Sequence, residues 1–286
     1  MDKITAPAIR ERKGSGELIS VITAYDYPTA LITDSAGADI LLVGDSLGQV
    51  VLGYPSTLPV TMEEMLHHTK AVRRGCSRAL LVGDMPFMSC RCGLEETLRN
   101  AARFMHEAGA EAVKIEGGKT RKDLIRAVVD LDIPVMGHIG LTPQSVNRFG
   151  GYRVQGATTD RAVRLLEDAR AVEDAGAFSM VLECVPRELA EIVTRNVSIP
   201  TIGIGAGPGC DGQVLVIHDL LGVFDTPTPK FVRIYANLRK DIETNVRAYL
   251  DDVKNGRFPS DGESYHMPAE VLARVREKVQ EKGWKL

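Results

Sequence analysis

The chain has 286 residues, 44% of them hydrophobic, and a formal net charge of −3. That length can bury a sizeable core in one domain of α/β-barrel size, while the near-neutral balance gives no basic footprint for nucleic acid and no polybasic run for a membrane surface. The opening "MDKITAPAIRERKGSGELIS" has scattered charges and no apolar core, and no apolar run approaches a membrane span. A cytoplasmic protein with a small-molecule partner is expected.

In chain order, short apolar, β-branched runs stand at residues 18–26, 38–45, 79–84, 112–117, 133–140, 178–185, 199–207 and 214–219. Amphipathic stretches rich in Ala, Leu, Glu and Arg separate most of them, at 28–36, 61–74, 94–109, 119–131, 160–176 and 187–197, and a longer one at 230–254 follows the last. The link from the seventh run to the eighth is short, glycine-rich and without a helical pattern. Near-continuous apolar strands belong to parallel sheets covered on both faces. Eight strand–helix units in this length predict an α/β fold, a single-domain (β/α)8 TIM barrel over 1–266. Residues 267–286 read as a polar helical tail.

The five cysteines, in a chain without a secretion signal, read as reduced thiols. Cys90 and Cys92 form a C-x-C with nothing nearby to complete a zinc site. His67 and His68 are adjacent on a helical pattern and so face apart, which argues against a shared metal.

The strands end in a repeated way. Asp26, Asp45, Asp84, Glu116, His138, Glu183 and His218 stand at or near the C-terminal ends of seven of the eight predicted strands. Each Asp alone could be a helix cap, but together they fall where a barrel carries its catalytic groups. Lys114 and Glu116 are two apart and share a face. With Val113 and Ile115 facing the helices, Lys114 points into the barrel, where an ammonium needs a carboxylate or an anionic ligand. Asp45, Asp84 and Glu116 come from neighbouring strands, and three carboxylates there repel unless a cation lies between them. An all-oxygen set with few protein ligands suits Mg²⁺, or Mn²⁺ in its place, better than zinc.

"GPGCDG" (207–212) matches G-x-G-x-x-G but leads into a strand, not a helix, which argues against a dinucleotide site. A close-packed turn and a backbone nest for an anion both remain open there. "NRFGGYRVQG" (147–156) is a long polar loop with two readings open: a lid in which Arg148, Tyr152 and Arg153 meet a cofactor, and a surface loop with no ligand.

The segments "TAYDY", "LVGDSLG", "STLPVT", "VKIEGG", "GHIGLTPQSVN", "GGYRVQG", "LECVP" and "GIGAGPGCDGQ" run in order through the chain. On these the sequence closely resembles the ketopantoate hydroxymethyltransferase (3-methyl-2-oxobutanoate hydroxymethyltransferase) family, from about residue 3 to 266. The resemblance implies a barrel of the phosphoenolpyruvate/pyruvate type. It also implies Mg²⁺-dependent transfer of a one-carbon unit from 5,10-methylenetetrahydrofolate to 3-methyl-2-oxobutanoate, in pantothenate synthesis, giving 2-dehydropantoate and tetrahydrofolate. Carried over residue by residue, Asp45 and Asp84 look like metal ligands, with Glu116 in the metal shell. Ser46 and Lys114 look like keto acid contacts, Glu183 like the general base, and His138 lies near the site. A homo-oligomer, a decamer, is also implied. The alternative is another Mg²⁺-dependent α-keto acid carbon–carbon lyase or aldolase on the same barrel, with no need of folate.

Overall fold

The computed structural model describes residues 2–224 and 228–285. The described chain forms two compact units, Met1–Ala236 and Asn237–Leu286. The division falls at 236/237, thirty residues before the expected end of the barrel, because all eight strands are complete by Leu215.

The first unit is a closed barrel of eight parallel strands in sequential order. After helix α1 (Ala6–Glu11), β1 (Ile19–Thr23) leads to α2 (Tyr27–Ser35), and β2 (Ile40–Val43) to a single turn, α3 (Leu47–Val50), and α4 (Met62–Gly75). Next come β3 (Leu80–Asp84), α5 (Leu94–His106), β4 (Ala112–Glu116) and α6 (Lys122–Val129). Strand β5 (Val135–Gly140) precedes a one-turn helix, α7 (Val146–Phe149), and α8 (Thr159–Asp174), and β6 (Ser179–Glu183) precedes α9 (Arg187–Asn196). Strands β7 (Thr201–Ile204) and β8 (Gly212–Leu215) follow with no helix between them, then a short α10 (Ile217–Leu221). Closure is made by β1 on β8, with Ile19 opposite Gly212. At Gly212 a Cβ would collide with the Ile19 carbonyl, so the glycine in "GPGCDG" serves close strand packing.

Strand alternation sorts the side chains into two cores. Leu41, Val43, Leu81, Val113, Ile115, Val135 and Leu182 face outward and pack with Leu66, Phe104, Ile125, Val172 and Val193 of the helices. Ile40, Leu42, Leu80, Val82, Ala112, Met136 and Val181 face inward, and Ile4, Ala6 and Ile9 from the N-terminal segment close that interior. One pleat further along the same inward rows, the apolar residues give way to Asp84, Lys114, Glu116, His138 and Glu183. The lower barrel is a dry core and the upper rim is charged.

In the second unit, α11 (Leu238–Lys254) is capped by Asn237, which accepts from the Lys240 amide at 3.2 Å, and α12 (Ala269–Glu281) follows within the predicted tail. Neither helix buries a residue. Among the described residues no helix is long and apolar enough to cross a membrane.

Candidate active site

At the C-terminal rim lies a cavity of about 640 Å³, bordered by Asp45, Ser46, Asp84, Lys114, Glu116, His138 and Glu183. Leu42, Val181, Ile204, Val214 and Phe231 supply apolar wall. The register brings the charged groups together: Asp84 stands beside Lys114 on neighbouring strands, and Glu116 beside His138.

Lys114 is the buried hub. Its Nζ is 2.9 Å from Asp84 Oδ1, 3.8 Å from Glu116 Oε1 and 3.1 Å from His138 Nδ1. Burial opposes its charge, but Asp84, Glu116 and Asp45 outweigh that and raise its pKa. The expected inward ammonium with carboxylate partners is therefore present. Asp45 accepts from Gln144 Nε2 at 2.9 Å, and its own amide donates to Asp84 Oδ2 at 3.0 Å. Burial, with Asp84 and Glu116 close by, holds the Asp45 carboxyl well above the usual range. Burial raises Asp84 as well, and Lys114 only partly offsets it. Glu116 goes the other way. Burial works against its charge, but contact with His138 and Lys114 and the Gln144 amide at 3.1 Å pull its pKa down.

His138 lies between two carboxylates, with Nδ1 3.4 Å from Glu116 Oε1 and Nε2 3.1 Å from Glu183 Oε2. Burial and Lys114 oppose its protonation, yet the two acids raise its pKa to about 9. Lys114 can donate only to an unprotonated Nδ1. With Glu116 on one side and Glu183 on the other the imidazolium is favoured, and the Lys114–His138 approach is then a contact between like charges.

Glu183 is set by its backbone. Its carbonyl accepts from Leu141 N at 2.8 Å, and the Cys184 carbonyl accepts from Gln155 N at 2.8 Å. Cys184 itself takes a left-handed φ of 49°, a sparsely populated conformation for a residue with a side chain. Gly140 has φ 90°, and a Cβ there would strike the Glu183 carbonyl, so glycine lets β5 approach β6 at the site.

Two residues in the predicted rim do not join the cluster. Asp26 is exposed and caps α2, accepting from Thr29 N at 2.8 Å. His218 belongs to α10, not to a strand end, and stacks between Tyr25 and Phe224 at centroid distances of 5.5 and 5.8 Å. Two others join unannounced. Tyr25 OH is 2.8 Å from Ser46 Oγ, and its carbonyl accepts from His68 Nδ1 at 2.6 Å. Gln144 joins Asp45, Glu116 and the Met85 carbonyl across three loops. An alternation-based reading passes over both, since neither sits on a strand. The predicted loop is divided: Tyr152 borders the cavity, while Arg148 and Arg153 line a second hollow beside it.

The donor set is suited to a hard cation. Asp84 Oδ1 and Glu116 Oε1 are buried without a hydrogen-bond partner, Lys114 being close to Asp84 Oδ1 but off hydrogen-bond geometry. Among the described residues no group of three or more His, Cys, Asp or Glu side chains is placed to hold a metal ion by itself. Mg²⁺ does not need one, because it commonly takes one or two carboxylates and keeps waters.

Comparison with known proteins decides the family. The pattern described as Ketopantoate hydroxymethyltransferase matches residues 3–261. The chain belongs to that family. A 3-methyl-2-oxobutanoate hydroxymethyltransferase of Carboxydothermus hydrogenoformans is 55% identical over 275 residues, covering 96% of this chain and all of the relative. One of Syntrophus aciditrophicus is 56% identical over 263 residues, covering 92% and 97%. The chain is thus an enzyme of the hydroxymethyltransferase class. Among solved structures, 2,3-dimethylmalate lyase, a PEP mutase/isocitrate lyase superfamily member, shares the fold at 19% identity with a TM-score of 0.57, covering 97% of both chains. Phosphonopyruvate hydrolase in complex with oxalate and Mg²⁺ does so at 13% identity, TM-score 0.58, covering 97% of both.

Proposed function

We propose that the protein transfers a one-carbon unit from 5,10-methylenetetrahydrofolate to 3-methyl-2-oxobutanoate with the help of Mg²⁺. The observation that carries this reading is the rim cluster: a buried ammonium and a set of carboxylates with unsatisfied oxygens at a cavity with a largely apolar wall, in a chain of this family. Net, the C3–H of the keto acid becomes C3–CH₂OH, one water is consumed and tetrahydrofolate leaves.

Asp45 and Asp84 would hold the cation, with Glu116 in the surrounding shell. When bound, the cation supplies Lewis-acid stabilisation of negative charge on the keto oxygen. Lys114 adds a fixed positive contact for the keto acid, already oriented by Asp84 before substrate arrives. Ser46, steadied by Tyr25, offers a hydroxyl to the same anion. Glu183, partly open to the cavity, takes the C3 proton onto its carboxylate. His138, 3.1 Å away, fixes the orientation of that carboxylate. Tyr152 and the 147–156 loop shield the carbanion equivalent from water.

The test is proton NMR of 3-methyl-2-oxobutanoate in D₂O with protein and Mg²⁺, before and after the folate donor is added. The expected result is loss of the C3 methine signal, then CH₂OH protons beside a quaternary carbon. Exchange without product would favour the lyase-like alternative, and no exchange at all would overturn the proposal. Asp84→Ala should weaken Mg²⁺ binding, and excess Mg²⁺ should partly restore its activity. A variant indifferent to added Mg²⁺ would remove Asp84 from the metal site.

A further inference from the structure

A second hollow of about 660 Å³ lies beside the active-site cavity, and Glu116 borders both. The two are contiguous along the chain as well, since Tyr152 lines one and Arg153 the other. Six arginines line the second hollow: Arg91, Arg121, Arg148, Arg153, Arg161 and Arg164. They come from the loop after β3, the start of α6, α7, the loop that follows α7, and the first two turns of α8. Against them stand three carboxylates. Glu116 is committed to the buried cluster, Glu167 receives Lys119 Nζ at 3.2 Å, and Asp168 accepts the Lys119 amide at 2.7 Å.

The arginines themselves are left over. Among the described residues Arg121, Arg148, Arg153, Arg161 and Arg164 have no ion pair and no side-chain hydrogen bond. Arg91 is held by the Phe87 carbonyl at 2.9 Å, with its guanidinium 5.1 Å from the centre of the Phe87 ring. Burial is the main cause that pulls its pKa down, and the crowding of like charge from nearby Arg121 and Arg148 adds to it. Such crowding is unfavourable in the free protein and is relieved by a polyanion. Guanidinium forks suit carboxylates, which they bind through paired N–H donors.

We propose that this arginine-lined cleft binds the oligo-γ-glutamate tail of the folate donor, one carboxylate per added glutamate, while the pterin end lies in the active-site cavity. The assignment rests on the folate reading above and extends it from the reacting carbon to the far end of the cosubstrate.

The experiment compares 5,10-methylenetetrahydrofolate carrying one and five glutamates, with KM measured for each, and unreactive tetrahydrofolates of the same tail lengths titrated by calorimetry. The pentaglutamate should show a KM and a Kd roughly ten- to a hundredfold lower, an advantage that shrinks with added salt. In Arg161→Ala/Arg164→Ala the ratio of the two constants should fall towards one, while Arg161→Lys/Arg164→Lys should keep most of it. Because each variant is its own reference across the two tail lengths, a partial loss of folded protein does not move the ratio. Product from the monoglutamate with no dependence on tail length overturns the cleft assignment and leaves the folate reading standing. A tail effect untouched by the double alanine variant also overturns it. No product from either donor is the failure of the folate reading itself.

Discussion

The cavity and the cleft share Glu116 yet treat charge in opposite ways. In the cavity, Asp84, Lys114, Glu116 and His138 are buried, and each lies within 4 Å of an opposite charge. In the cleft, Arg148, Arg153, Arg161 and Arg164 are exposed and lack such partners among the described residues. A buried charge must be compensated within the fold, because water cannot do it. An exposed one is kept in solution at little cost and is available to a ligand. Large effects should therefore come from the cavity and graded, salt-sensitive ones from the cleft.

The largest effect is expected for Glu183→Gln, where turnover should fall by about 10² to 10⁴ while the keto acid and Mg²⁺ still bind. Equal turnover in variant and wild type would take Glu183 out of the reaction. Lys114→Met removes the hub and leaves the carboxylates facing one another, and in EDTA this should cost about 3–5 kcal/mol of unfolding free energy. Mg²⁺ should then stabilise the variant more than the wild type, as read by urea midpoints. Equal stabilisation of the two would mean that the cation does not sit among these acids.

His138 gives a pH signature. Its folded pKa, about 9, lies above the usual value of 6.5, so its contribution is present in full below about pH 6.5 and fades as the pH rises through about 9. In metal-free protein the stability difference between pH 6.5 and pH 9.5 should shrink by on the order of 1–3 kcal/mol in His138→Gln. An identical pH profile would show that the imidazolium is not held by Glu116 and Glu183. A smaller change is expected for Tyr25→Phe, which loses the bond that steadies Ser46. KM for the keto acid should rise by less than about tenfold, and an unchanged KM would separate Ser46 from substrate binding. The cleft arginines stand at the low end, each worth a few-fold in folate affinity.

The rim shows where sequence reasoning succeeds. Asp84, Lys114, Glu116, His138 and Glu183 sit on strands whose alternation is readable from their apolar neighbours, so their inward direction follows from position alone. Asp26 and His218 carry the same residue types at similar places, but one caps a helix and the other stacks in an aromatic row. Residue type at a run's end does not distinguish these outcomes, because the last one or two residues of a run can already belong to the next element. Tyr25 and Gln144 carried no periodic signal, and Gln144 finds Asp45 across 99 positions of chain.

The sequence by itself determined the barrel, the missing helix between the seventh and eighth strands and the charged rim, because doubly buried strands must be apolar and break that rule only where a partner waits. Tertiary structure alone decided which acids share Lys114, where His138 rests between Glu116 and Glu183, and that arginines scattered from 91 to 164 converge on one cleft. Those facts depend on strand register and loop placement, which bring distant residues within 4 Å and leave no trace in local periodicity.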